Sequence, residues 1–85
     1  MEHFRKLLSE HHDWPCKYLF KFVVPNEQES KVRELFLDNV TAEFSVRASK
    51  NGRFVSVSIT ADIESPERVI EIHTQASVIE GLLSL

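Results

Sequence analysis

The histidines near the N-terminus are the side chains with the clearest capacity to hold a metal. His11 and His12 stand directly before Asp13, and His3 lies eight residues before His11. Adjacent side chains seldom converge on one ion, and no nearby cysteine or second histidine pair completes the roughly four ligands of a zinc site. His73 stands alone, and we expect it to pack or to face solvent. The pattern predicts neither a bound metal nor a cofactor.

Nucleophilic catalysis has equally few candidates. Ser56 and Ser58 lie in a strand-like alternation, with no histidine predicted beside them to act as a base. Cys16 is the only cysteine, which excludes an internal disulfide, and we expect a small, half-buried apolar residue. The segment VVPNEQE, residues 23–29, has neither a Cys-x-x-Cys pair nor a glycine-rich phosphate loop. We expect no enzymatic activity, and a small enzyme or metal-binding protein is a second alternative.

The composition is typical of one globular domain. The chain has 85 residues, 42% of them hydrophobic, and a formal net charge of −3. A domain of this size buries only about 60–65% of its unfolded surface, so dimerisation would add stability. No apolar run approaches the roughly 18 residues of a membrane span, and MEHFRKLLSEHHD lacks the apolar core of a signal peptide. We expect a cytoplasmic protein that does not associate with membranes.

An N-terminal extension, residues 1–13, is predicted to precede a single domain, residues 14–85. Phe4, Leu7 and Leu8 recur at helical spacing in the extension, which predicts a short helix. A helix of this length is marginal in water, so we expect it to be weakly anchored.

The first half of the domain is predicted to contain a strand, a helix and a second strand. CKYLFKFVV alternates as a strand does, and its aromatic and β-branched residues suit a pleated surface. Asn26, with Glu29 three residues later, predicts a helix that starts with a capping box. We expect its buried stripe to consist of Val32, Leu35, Phe36 and Val40. AEFSVRAS then alternates as the second strand.

The second half is predicted to contain a hairpin, a helix and a last strand. Asn51-Gly52 favours a tight hairpin turn because both positions accept positive φ, and FVSVSITAD is the return strand. Ser65 as N-cap and Pro66 at the first helical position predict the second helix. We expect its inner face to consist of Val69, Ile70, His73 and Ala76, with Ile72 at the margin. VIEGLLSL, with a bulge or close approach at Gly81, is predicted to close the chain as a strand.

The element order β-α-β-β-α-β predicts an α+β fold, a ferredoxin-like sandwich. We expect a four-stranded antiparallel sheet in the order 4-1-3-2, with the first and third strands as a parallel pair at its centre. Both helices of the domain would cover one face, in addition to the short N-terminal helix. The residues expected on the covered face are Tyr18, Phe20, Phe22, Phe44, Val46, Val55, Val57 and Ile59.

The other face of the sheet is predicted to be open, and it is the main candidate for function. It collects apolar, hydroxyl and charged side chains, namely Leu19, Lys21, Val23, Glu43, Ser45, Arg47, Phe54, Ser56, Ser58, Thr60, Glu80 and Leu82. Such a face is often solvated in antiparallel sheets, but it could also be buried against a second copy or against the N-terminal helix. An apolar patch of roughly a few hundred Å² would mark an interaction surface.

We interpret the protein as a non-enzymatic regulatory or interaction module that uses the open face or an exposed edge strand. The candidate contact residues are Leu19, Lys21, Arg47, Phe54, Ser56 and Ser58. The partner would be an unidentified protein or a small ligand, and a homodimer is one such arrangement.

An RNA-binding domain is the main alternative, because RNA-recognition motifs share this element order. Lys50, Gly52 and Phe54 resemble the basic, glycine and aromatic residues of the third strand in those motifs, and Arg47 and Arg53 add positive charge. Only one ring faces outward, however, and stacking contributes only about 1–3 kcal/mol per base. Because the net charge is −3, we do not expect nucleic acid to be the partner.

Two segments resemble the YbeD-like family of small bacterial proteins of unknown function. WPCKYLFKFVVP, residues 14–25, is similar to their aromatic-Pro-x-x-aromatic opening. SKNGRFVSVSITADIESPERVIEIHTQASVIEGLLSL, residues 49–85, resembles their hairpin, serine-bearing third strand, second helix and last strand. The resemblance implies a ferredoxin-like fold, similar to the ACT domains that bind amino acids between paired subunits, and a bacterial cytoplasmic setting. It implies no catalytic residues, and Pro25-Asn26 stands where an ACT domain usually has a glycine.

Overall fold

The computed structural model describes residues 2–85, in which helices and strands alternate along the chain. In order, these elements are α1 (Glu2–His11), β1 (Cys16–Pro25), α2 (Glu29–Glu34), β2 (Glu43–Ala48), β3 (Phe54–Ile63), α3 (Pro66–Ala76) and β4 (Leu83–Ser84). A 3₁₀ turn, Asn26–Gln28, leads from β1 into α2. The Trp14–Pro15 peptide bond is cis. The predicted α+β class is confirmed.

A single antiparallel sheet joins the four strands in the order β2-β3-β1-β4. β1 and β3 pair along their whole lengths, from Cys16 opposite Ile63 to Pro25 opposite Phe54. The predicted parallel pairing of these two strands is wrong. After the helical crossover β2 runs in the direction of β1, and the hairpin then reverses β3, so β3 must run antiparallel to β1.

Side chains alternate between the two faces of the sheet, and the helices bury one of them. The innermost residues of this covered face are Phe20, Phe22, Val24, Val57, Ile59 and Ile63. Tyr18 and Phe44, also predicted there, are partly buried against this core. Val46 is 38% exposed, because its strand is the edge of the sheet. Burial of each large apolar side chain stabilises the fold by roughly 1.5–3 kcal/mol.

α2 is shorter than the predicted helix, and it starts differently. No side chain caps either α2 or the 3₁₀ turn, so the predicted capping box of Asn26 and Glu29 is wrong. Val40, predicted in the buried stripe, is 98% exposed. The helix ends before it, and Asn39 Nδ2 donates to the carbonyl of Asp62 at 3.1 Å, which ties the following turn to the end of β3. The stripe residues that pack on the core are Val32, Leu35 and Phe36.

α3 begins as predicted. The backbone N–H of Arg68 donates to Ser65 Oγ at 3.3 Å, and Pro66 is the first helical residue. This N-cap satisfies one of the free amides of the first turn. Ile72 is fully buried beside Val69, so it lies at the centre of the inner face and not at its margin as predicted.

α1 packs against α3, on the helical side of the sheet. Leu8 is buried in the core, and Trp14 Nε1 donates to its carbonyl at 3.1 Å. Arg5 also forms an exposed ion pair with Glu67 at 2.9 Å. The prediction of weak anchoring is wrong, because a buried leucine and an indole hydrogen bond hold α1. In this position α1 does not cover the open face.

The hairpin loop is longer than the predicted two-residue turn. Among residues 2–85, only glycines have positive φ, and Gly52 is the one in this loop, at 71°. Asn51 instead uses its side chain: the Arg53 N–H donates to Asn51 Oδ1 at 3.1 Å, and Ser49 Oγ donates to it at 2.9 Å. The loop therefore spans Ser49 to Arg53, with the asparagine side chain holding it closed.

β4 is only two residues long, so most of VIEGLLSL is not a strand. Gly81 has φ of 79°, and a β-carbon there would lie 2.8 Å from Pro25 Cγ, which confirms the predicted close approach. Leu82 packs against the core, whereas Leu83 pairs opposite Val23 on the open face. The prediction of Leu82 on that face is therefore wrong by one residue. Glu80, also predicted there, lies in the turn between α3 and β4.

Candidate functional site

All six predicted contact residues lie on the open face of the sheet. Strand pairing aligns its central residues in two neighbouring rows, Lys21–Ser58–Ser45 and Val23–Ser56–Arg47. Directly opposed residues of antiparallel strands have Cβ atoms about 4.5–5.5 Å apart, so each row is a set of side-chain neighbours. Leu19 lies one row beyond Lys21, and Phe54 lies one row beyond Ser56.

The two central rows form a shallow concave surface. A depression of about 220 Å³ is lined by Lys21, Ser45, Arg47, Ser56 and Ser58. The serines are short and the lysine and arginine are long, so hydroxyls form the floor and cations form the rim. We call these five residues the cationic depression.

An apolar depression of about 160 Å³ adjoins it toward the hairpin. Val23 and Phe54 contribute its apolar wall, and Arg47 and Ser56 line both depressions. The strand register places Leu83 beside Val23. We call Val23, Phe54 and Leu83 the apolar patch, in which Phe54 is 41% exposed and Leu83 is 63% exposed.

The cations of the open face have no counter-ion among residues 2–85. Neither Lys21 nor Arg47 has a carboxylate oxygen within 4.0 Å. The ion pairs of the described chain lie instead on or next to the helices, as Arg5–Glu2, Arg5–Glu67, Arg33–Glu29, Arg68–Asp38 and Arg68–Glu71. On the open face Glu43 lies opposite Thr60, at the end far from the hairpin. The hairpin end is therefore positively charged.

His73 of α3 is half-buried and packs against aromatic side chains. Its ring centroid is 5.6 Å from that of Phe20 and 5.8 Å from those of Phe4 and Phe22. Ser84 Oγ lies 3.5 Å from its Nδ1. Burial lowers the pKa of His73 from its ordinary value of 6.5, which favours the neutral form of the ring.

The other candidates for chemistry are not brought together. Within residues 2–85, no group of three or more His, Cys, Asp or Glu side chains is arranged to hold a metal ion. His12 packs against Trp14 and Tyr18, with ring centroids 5.5 Å from each. Burial, and secondarily the charge of Asp13, raises the pKa of the Cys16 thiol, which disfavours the nucleophilic thiolate.

A further depression lies on another part of the surface, and its arginine is already paired with carboxylates of the protein. It measures about 300 Å³ and is lined by Asp38, Asn39, Val40, Asp62, Glu64 and Arg68. Arg68 already pairs with Asp38 at 3.4 Å and with Glu71. Its main cation therefore has protein partners, unlike the cations of the open face.

A family model matches residues 9–83, from the last turn of α1 to the first residue of β4. The chain belongs to the DUF493 family. This family is described as "Protein of unknown function (DUF493)". The match confirms the expected membership of a family of unknown function and is consistent with the YbeD-like resemblance. Neither the curated proteins nor the solved structures gave a match to the chain.

The segment matched by the DUF493 model contains every residue of the cationic depression and of the apolar patch. In residues 2–85 of this DUF493 protein, no helix combines the length and apolar character needed to cross a membrane. Sequence reasoning left Ser45, Val23 and Leu83 out of the contact set. The alternation of side chains could have added Ser45 and Val23. The position of Leu83 depends on the register of β4 against β1, which a strand of two residues does not reveal in the sequence.

Proposed function

We propose that this DUF493 protein is a non-enzymatic regulatory or interaction module that recognises its partner through the open face. One observation carries the proposal: the apolar patch lies beside two cations that have no counter-ion within residues 2–85, on a face that no helix of this range covers. Exposed apolar side chains next to polar groups are typical of interaction surfaces. The strand order and the helical layer support a ferredoxin-like, ACT-like sandwich, and the family resemblance supports a cytoplasmic setting.

The position of α1 supports this use of the open face. An N-terminal helix folded over the sheet would have buried Phe54 and Leu19 and left little surface for a partner. Leu8 instead holds α1 in the core on the opposite side. The N-terminal helix therefore contributes to the core and leaves the open face exposed.

Charge favours a partner with negative groups over a second copy at the same site. In a two-fold symmetric contact centred on the open face, Lys21 and Arg47 of one copy would approach the same residues of the other. Juxtaposed like charges oppose such a contact. A homodimer would have to use an edge strand or only the apolar patch.

RNA binding is the second candidate, supported by the exposed Phe54 ring beside Arg47. A single ring gives little stacking energy, and the first strand presents Leu19 and Lys21 at outward positions instead of aromatic residues. This candidate predicts binding of short single strands that weakens steeply with salt. Absence of a mobility shift at low salt would remove it.

The proposal is tested by comparing Phe54→Asp with Leu37→Asp, both as tagged full-length protein. Leu37 is a matched control, since it is 79% exposed and lies outside the open face. We expect Phe54→Asp to weaken retention of partners from the native cell, or self-association measured by sedimentation equilibrium, by roughly 30-fold or more. Leu37→Asp should retain both. Equal behaviour of the two variants would contradict the proposal.

A further inference from the structure

The two depressions of the open face form one continuous surface with two chemistries. The cationic depression offers Lys21, Arg47 and three hydroxyls, and the apolar depression offers Val23 and the ring of Phe54. They meet at Arg47 and Ser56, which line both. A ligand that bridges them needs an anionic group at one end and a flat apolar body at the other.

The cationic depression has the donors that a tetrahedral oxyanion requires. Arg47 presents a planar fork of N–H donors, and Lys21 presents a compact ammonium. The hydroxyls of Ser45, Ser56 and Ser58 make no hydrogen bond to another side chain or to the backbone within residues 2–85, so they are free to donate. A phosphate monoester has three terminal acceptor oxygens and up to two negative charges. It matches two cations and several hydroxyls better than a planar carboxylate with two acceptor oxygens does.

We propose that the open face binds a small organic phosphate whose phosphate group lies between Lys21 and Arg47 and whose flat apolar group lies on Phe54. This inference deepens the proposed function, on which it rests, by naming the ligand class of the same face. The two cations without counter-ions favour an anionic group on the ligand, and the adjoining exposed ring favours a flat apolar group.

A small ligand fits the surface better than a nucleic-acid strand does. A strand would need further rings and further unopposed cations along its path, but the face continues past Lys21 to Leu19 and Glu43, and Lys17 in the next row lies opposite Asp62. The carboxylate there would repel a second phosphate. Because the site is open to solvent, binding should be weak and should weaken as salt increases.

The experiment is a titration of the full-length, ¹⁵N-labelled protein with phenyl phosphate, followed by amide chemical shifts. Inorganic phosphate, phenol and a short single-stranded oligonucleotide are titrated in parallel. We expect saturable shifts centred on Lys21, Arg47, Phe54, Ser56 and Ser58, with phenyl phosphate binding roughly fivefold or more tightly than inorganic phosphate. Phenol alone should give little change.

Two matched double variants distinguish binding by Lys21 and Arg47 from an effect of the net charge of the protein. Lys21→Gln with Arg47→Gln should weaken phenyl phosphate binding by roughly tenfold or more. Lys6→Gln with Lys31→Gln removes the same charge from exposed helical positions and should leave binding within about twofold. Phe54→Ser should remove the advantage of phenyl phosphate over inorganic phosphate. Dispersed amide spectra would verify that each variant is folded.

Three outcomes would overturn the inference. These are shifts that do not saturate, shifts that centre outside the open face, and equal losses in the two double variants. Saturable binding of the oligonucleotide without that of phenyl phosphate would assign the face to nucleic acid instead. If phenyl phosphate does not bind while Phe54→Asp still abolishes partner association, the proposed function is supported and only the proposed ligand class is wrong.

Discussion

The two faces of the sheet come from the same strands but obey different constraints. On β1, Phe20 and Phe22 point toward the helices and are essentially inaccessible, whereas Leu19, between Tyr18 and Phe20 in the sequence, is 53% exposed. On β3, Val57 is buried while Ser56 and Ser58, on either side of it, line the cationic depression. Neighbouring residues therefore serve the fold and the surface in strict alternation.

This difference indicates where the chain can change without losing its fold. Covered-face side chains interlock at the density of an organic crystal, so each change of volume affects several neighbours. Side chains of the open face meet mainly water and one another. The residues that make this protein fold and those that we expect to bind its partner are thus almost disjoint.

The largest expected effect is the loss of a covered-face ring. Phe22→Ala should lower the free energy of unfolding by about 3–5 kcal/mol, because it removes a fully buried ring and leaves a cavity. Phe54→Ala removes the same ring from the open face and should change stability by less than about 1 kcal/mol. Urea denaturation monitored by circular dichroism measures both. Similar losses in the two variants would show that the two faces do not differ energetically as the burial implies.

The close approach of Gly81 to the Pro25 ring, just before β4, should have the next largest effect. Gly81→Ala places a β-carbon against Pro25 in addition to the positive φ, and should cost about 1–3 kcal/mol. Gly52→Ala is the control, since its φ is also positive but no atom lies within 4 Å of the added carbon. We expect it to cost only about 1 kcal/mol. An equal cost at both positions would mean that the contact with Pro25 adds nothing.

The faces of the long strands were predictable from sequence because period-two alternation is strong over ten residues. Tyr18 to Val24 and Phe54 to Ile63 alternate without interruption, and the structure follows them. The N-cap at Ser65 was also predictable, because serine followed by proline fits only a few backbone arrangements. Local patterns of this kind depend on neighbouring residues alone.

The predictions for Val40, β4 and α1 were wrong because contacts between residues distant in sequence determine the structure there. Val40 has helical spacing from Phe36, but the tie from Asn39 to Asp62 turns the chain away first. The short length of β4 is set by its pairing with β1 and by the close approach of Gly81 to Pro25. Neither contact can be read from a local sequence pattern. The anchoring of α1 likewise depends on Trp14, a residue outside the helix.

The candidate site was predictable as a set of residues but not as a surface. Alternation placed Lys21, Arg47 and the serines on one face. Only the register of three strands shows that they share a depression and that Arg47 also borders Phe54. The lack of counter-ions is similarly a property of the folded chain, since Glu43 lies only four residues from Arg47 in sequence.

His73 provides a smaller test, because it is a titratable group on the covered side. Its pKa is lowered by burial, so the unfolded chain binds a proton more readily than the folded one. Stability should therefore be fully present above pH 6.5 and decrease as the pH falls from there through the lower pKa of the folded state. His73→Gln, measured by urea denaturation at several pH values between 5 and 7.5, should show a shallower decrease. Parallel pH profiles for the two proteins would indicate that the ring is not desolvated.

The smallest effect on stability is expected for the cations of the open face. Neither Lys21 nor Arg47 has a partner within the described chain, so changing both to glutamine leaves no buried group unsatisfied. The free energy of unfolding should stay within about 0.5 kcal/mol of the wild-type value, with an unchanged denaturant slope. A loss of more than about 1 kcal/mol would reveal a structural role for these side chains. Unchanged stability together with lost phosphate binding would instead assign their charge to recognition, because side chains with a structural role would lose binding only together with stability.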